Sequence, residues 1–132
     1  MEAPQESIEV IKTKTSEYWV IDDVLYANIV EKAVLDVSEV QENFDARKPL
    51  LNPERPIPTI IDITKIDRIT KEGRALSSTL TEGMSAIAII ISSGLSKIIG
   101  NYAIMINRPK VPTKLFNSVE DARMWVGDYK PD

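Results

Sequence analysis

The chain has 132 residues, 43% hydrophobic and 27% charged, with a net charge of −4 and neither histidine nor cysteine. That length closes one domain around one core. The missing residue types exclude disulfides, thiolate nucleophiles, Cys/His metal sites, histidine bases and every histidine-containing triad.

Residues 7–14 alternate weakly and predict an edge strand. Residues 18–21 and 24–30 are β-branched and aromatic, and Asp22-Asp23 between them is a turn signal, so 18–30 reads as a hairpin. Asp36 then offers an N-cap, with Glu39 as its capping-box partner and Val37, Val40 and Phe44 at helical spacing. Pro49, Pro53, Pro56 and Pro58 end that helix and predict a stiff loop to about residue 58. Residues 59–63 predict a buried central strand carrying Asp62, an unusual residue for such a run. Residues 64–69 read as a connection. Thr70 caps a helix expected to reach about Leu80, with Ala75, Leu76 and Leu80 inward and Gly83 as a stop. Residues 86–91 form a second buried strand, broken by Ser92-Ser93-Gly94.

Leu95, Ile98, Ile99, Tyr102, Ala103 and Ile106 follow as a wide apolar stripe on a helix over 95–107. Pro109 and Pro112 stop it. Residues 113–116 read as a last strand. Ser118 with Asp121 opens a final helix with Ala122, Trp125 and Val126 inward. The ends, 1–6 and 127–132, are expected to fray. Alternation of this kind implies an α/β fold with right-handed crossovers. We expect a single domain over 1–132, in which the hairpin joins a mixed, mostly parallel sheet of four to five strands with about four helices.

The longest apolar run, 86–91, falls far short of the ~20 residues a membrane span needs. Residues 1–9 contain acids and no apolar stretch, so they do not read as a secretory signal. No membrane span and a cytoplasmic location are expected. The acidic balance argues against nucleic acid or an anionic membrane as a partner.

Three strings carry a resemblance: Ile61-Asp62-Ile63 followed by Ile69-Thr70-Lys71-Glu72-Gly73-Arg74; Ser96-Lys97-Ile98-Ile99-Gly100-Asn101-Tyr102; and Pro112-Thr113-Lys114-Leu115-Phe116. With the element order over 18–126, they make the chain resemble the STAS fold of anti-sigma factor antagonists. The closer likeness is to the small SpoIIAA-like, STAS/SEC14-like bacterial proteins. The resemblance implies a non-enzymatic regulatory or protein-interaction module. In STAS antagonists a serine in an Asp-Ser-Ser-Gly-type loop is phosphorylated by a partner kinase, which switches off partner binding. The matching stretch here keeps Asp67 but has Arg68 and Ile69 in place of the serines, and Thr70 is the nearby hydroxyl.

Asp67, Thr70, Lys71 and Arg74 are therefore the candidate interaction surface, and Thr70 is a possible phosphoacceptor as well as a helix cap. Ser92, Ser93, Gly94, Ser96 and Lys97 form a strand-turn-helix junction that suits an anion or ligand, or is simply a capped turn. It would lie at the carboxyl ends of the parallel strands, where open α/β sheets bind ligands. Asp62, Asp67, Glu72 and Arg74 either form an ion-paired surface or hold Mg²⁺ for a carboxylate-dependent enzyme. The apolar stripe over 95–107 packs on the core or roofs a cavity for a small apolar ligand or lipid, as the likeness to SEC14-type domains implies. No cofactor is expected. The partner would be another protein, with a homodimer through the hairpin edge or a helix face also open.

Overall fold

The structure, a computed structural model, describes residues 1–5, 7–92 and 94–132. In chain order its elements are β1 (Ile11–Lys12), β2 (Ser16–Ile21), β3 (Val24–Ile29), β4 (Val34–Leu35), α1 (Val37–Arg47), β5 (Ile57–Asp62) and β6 (Arg68–Ile69). Then come α2 (Lys71–Ser77), β7 (Met84–Ile90), α3 (Leu95–Met105), β8 (Thr113–Phe116) and α4 (Val119–Val126), with short 3₁₀ turns at Lys48–Leu50 and Gly127–Tyr129.

Asp22 and Asp23 both take positive φ, 52° and 59°. That is the turn conformation whose twist matches a tight hairpin, and it folds β2 onto β3 in antiparallel register. β1 lies antiparallel outside β2. From β3 the sheet continues in parallel through β5, β7 and β8, giving the order β1-β2-β3-β5-β7-β8. Six strands thus replace the four to five expected. The fold class stands: among the described residues, a mixed, mostly parallel sheet with four helices. A second, two-stranded parallel ribbon joins β4 to β6, inside stretches whose sequence reads only as connection.

Strand alternation assigns the two sides of the sheet. Val24, Tyr26, Ile60, Ala88 and Ile90 pack with Ala122 and Val126 of α4. On the other side Ile29 and Ile89 pack with Val40 of α1, Leu76 of α2, and Ile99 and Ala103 of α3. Pro58 lies inside β5, which starts two residues earlier than its prolines predict. A proline in a central strand is tolerated at a bulge, and the β5–β7 register shifts between Ile57 and Thr59.

Residues near both ends contact the body of the fold. Asp62 is buried at the end of β5 and needs a counter-charge. The Met1 ammonium donates to its Oδ2 at 2.8 Å, and Met1 and Ala3 pack against the α4 side of the core. At the other end Trp125 packs between Phe116 and Tyr129, Ser85 Oγ donates to the Tyr129 carbonyl, and Lys130 pairs with Asp22 at 2.9 Å.

Candidate functional site

The segment 67–74 rides on β4. The Asp67 and Arg68 amides donate to the Ala33 carbonyl and the Thr70 amide to that of Leu35. Asp67 and Lys71 are exposed. Thr70 caps α2: its hydroxyl oxygen accepts from the Gly73 amide at 2.9 Å and its proton goes to Asp36 Oδ1 at 2.7 Å. Asp36 in turn caps α1 in a full capping box with Glu39. The Thr70 bond, then the Val37 amide, hold the Asp36 carboxyl below its ordinary value. One hydroxyl and one carboxylate thus tie the starts of two helices together. A phosphate on Thr70 would stand beside that carboxylate and repel it.

Ser92, Gly94, Ser96 and Lys97 lie at the carboxyl end of β7, while Ser93 lies outside the described residues. The Ser92 amide donates to Ser96 Oγ at 2.8 Å and the two hydroxyls lie 3.2 Å apart, so Ser96, itself buried, closes this turn internally. Gly94 is the N-cap of α3 at φ +82°, a conformation glycine adopts freely. Lys97 is exposed.

Asp62 belongs to neither group. Its Oδ1 accepts from the Thr64 amide and hydroxyl and its Oδ2 takes the Met1 ammonium. Burial works to raise this carboxyl, but those bonds outweigh it and hold it below the usual range. Among the described residues no group of three or more acids is placed to hold a metal ion, and Asp62, Asp67 and Glu72 form no such cluster.

The helix over Leu95–Met105 differs most from expectation. Its stripe splits. Ile99 and Ala103 face the sheet, whereas Leu95, Ile98, Tyr102 and Ile106 face outward with Met105. Ile98 is 56% exposed and Met105 79%. The cause lies in the small residues Ser96 and Gly100, both buried. A Cβ at Gly100 would lie 2.9 Å from Ile91 Cγ2 and 3.0 Å from Leu115 Cδ2. The helix therefore docks on its smallest face, and at ~100° per residue its larger apolar residues are turned away within a sector of about 100°. Residues 83–119 carry four cations, Lys97, Arg108, Lys110 and Lys114, and no acid, in a chain of net charge −4. All four are exposed.

Arg74 links this helix to α2. Its guanidinium lies 4.5 Å from the centre of the Tyr102 ring, a cation–π contact. The candidate surface at 67–74 and the outward face of α3 are therefore adjacent. Lysines and arginines at the end and flank of α3 read in sequence as ordinary surface, and only the position of Gly100 signals which way the stripe turns. Beneath α3, on the sheet side, lies a cavity of about 170 Å³.

A family model described as "Domain of unknown function (DUF7793)" matches residues 18–130. No curated protein matches the chain. Its fold is similar to the crystal structure of an uncharacterized DUF3478-family protein with a SpoIIAA-like fold from Shewanella loihica PV-4. The TM-score is 0.56 and the identity 19%, over 96% of this chain and 98% of that one. The fold is therefore SpoIIAA-like, as the three sequence strings imply. Among the described residues no helix is long and apolar enough to cross a membrane.

Proposed function

The chain belongs to the DUF7793 family, and we propose that it is a non-enzymatic, STAS-like regulatory module of the cytoplasm that docks a protein partner on the outer face of α3 and the adjoining start of α2. The observation that carries this reading is the outward apolar sector of α3. Leu95, Ile98, Tyr102, Met105 and Ile106 stand exposed on one side of one helix. Contiguous exposed apolar surface marks interaction sites, whereas scattered exposed residues do not.

Spacing and charge favour one kind of occupant. Positions 95, 98, 102 and 105 repeat at three and four residues, the spacing by which two helices interlock. Arg74 lies over Tyr102 of the stripe, Lys97 is exposed on the same helix, and the exposed Arg108 and Lys110 follow its end. The complement is an amphipathic helix of a protein partner, apolar on one side and flanked by Asp and Glu. The absence of histidine and cysteine leaves few groups for turnover at neutral pH, which favours a binding role.

The test is capture with the full chain and cross-linking through Lys97 and Lys110. The expected result is a partner cross-linked by an acidic amphipathic segment, and its loss in the Ile98→Glu/Tyr102→Glu double variant. Capture that survives this double variant overturns the reading. So does a cross-linked segment that is basic. Dimerisation through the stripe, or binding to phosphatidylglycerol vesicles with no protein captured, assigns the face to another occupant and overturns it equally.

A further inference from the structure

The cavity under α3 is bounded by the sheet on one side and by α1, α2 and α3 on the other, and most of its wall is isoleucine, leucine, valine and alanine. Its volume, about 170 Å³, is comparable to the roughly 150 Å³ apolar cavity that takes up benzene in an engineered core. Three polar atoms in the lining are out of place in an apolar hole. Thr59 is 2% exposed, and its Oγ1 has no hydrogen-bond partner among the described residues. The Nε–H groups of Arg47 and Arg74 are buried and also lack partners among the described residues. Each guanidinium is steadied elsewhere: Arg47 Nη2 donates to the Leu80 carbonyl at 2.7 Å, and Arg74 stacks on Tyr102. Among the described residues neither has an ion-pair partner and no Asp or Glu lines the cavity.

Buried donors without partners are costly, and native proteins rarely keep them without a use. Two arginines and a threonine hydroxyl offer N–H and O–H groups, the complement of a carboxylate. The rest of the wall is mainly apolar, with Asn43, Ser77, Ser78, Thr81 and Asn107 as further polar residues. We propose that this cavity binds a small amphiphilic carboxylic acid, with an apolar body of about eight carbons against the sheet and its carboxylate on the Arg47 and Arg74 Nε–H groups. The cavity lies on the inner side of α3 and the docking stripe on the outer side, and Arg74, which stacks on Tyr102, is the residue the two share.

The test titrates the full-length protein with octanoate, and separately with 1-octanol, which has the same chain and no charge. Methyl chemical shifts of Ile61, Ile87 and Ile99 are followed. Octanoate is expected to shift these methyls with a Kd on the order of a millimolar or tighter, and octanol to bind at least about tenfold more weakly. Arg74→Met and Arg47→Met, which keep the apolar stems, are expected to remove that preference. Ala103→Leu, which narrows the cavity, is expected to reduce octanoate binding. Equal binding of octanol and octanoate overturns the carboxylate assignment. Absence of any shift at those methyls overturns the site. Both of these outcomes are measured on the wild-type protein, so they hold even where a variant fails to fold.

Discussion

Thr59→Val probes the cavity at a single atom. Thr59 sits in the middle of the sheet, paired with Leu25 of β3 and Ile87 of β7. Its hydroxyl is buried without a partner among the described residues. Valine has the same shape and a similar preference for strands, so the exchange makes no new cavity and forces no new rotamer. What it removes is a buried, unsatisfied hydroxyl, whose desolvation penalty is about 1–3 kcal/mol. Allowing for partial relaxation, we expect the variant to be more stable by about 1–2 kcal/mol. That corresponds to a rise in Tm of roughly 3–8 °C for a domain of this size. Urea unfolding should show a higher midpoint with an unchanged slope. The same variant should bind octanoate more weakly, because one donor is gone. Stability and ligand affinity then move in opposite directions, the pattern of a group kept for binding rather than folding. A variant less stable than the parent by more than about 0.5 kcal/mol would rule this out, since it would mean the hydroxyl is satisfied within the fold.

Three further expectations concern the frame around the site. Gly83 sits at φ +83°, and a Cβ there would lie 2.8 Å from Leu51 Cβ, so Gly83→Ala should cost about 2–4 kcal/mol from backbone strain and overlap together, read by chemical denaturation. Thr70→Ala removes the cap of α2 and should cost about 1 kcal/mol; amide exchange should rise in the first turn of α2. Asp62 has a depressed carboxyl, so its contribution is fully present above the unfolded value near pH 4 and is lost as pH falls through the lower folded value. Asp62→Asn should therefore destabilise by about 1–3 kcal/mol at neutral pH. The difference from wild type should shrink in acid below about pH 4, as measured by denaturation at stepped pH.

Much of the frame was legible because its signals are local. The Asp36–Glu39 capping box, the Asp22-Asp23 turn, the Thr70 cap and the strand over Thr113–Phe116 each depend on a few adjacent residues, and each stands where the sequence places it. The parallel sheet followed from alternation of strands and helices. What was illegible depends on contacts between distant segments. Pro58 reads as a strand breaker until the bulge opposite β7 accommodates it. The β4–β6 ribbon pairs two two-residue strands distant in sequence, too short for any periodicity. The α3 stripe shows its width in sequence but not its direction, because the face that docks is chosen by the fit of Gly100 between Ile91 and Leu115. Thr59 and Arg47 carried no sequence signal, since their role rests on buried polar atoms left without partners among the described residues.

Methionine oxidation reads the orientation of α3, with controls built into the chain. Met105 on α3 and Met124 on α4 are both 79% exposed, whereas Met84 is 9% exposed. In the free protein, brief peroxide treatment followed by peptide mapping should oxidise Met105 and Met124 at similar rates and Met84 far more slowly. With the partner bound, Met105 alone should become protected. A Met105 as slow as Met84 in the free monomer, or one still oxidised at the Met124 rate in the complex, would be incompatible with an α3 that turns its apolar face outward to be covered by another protein.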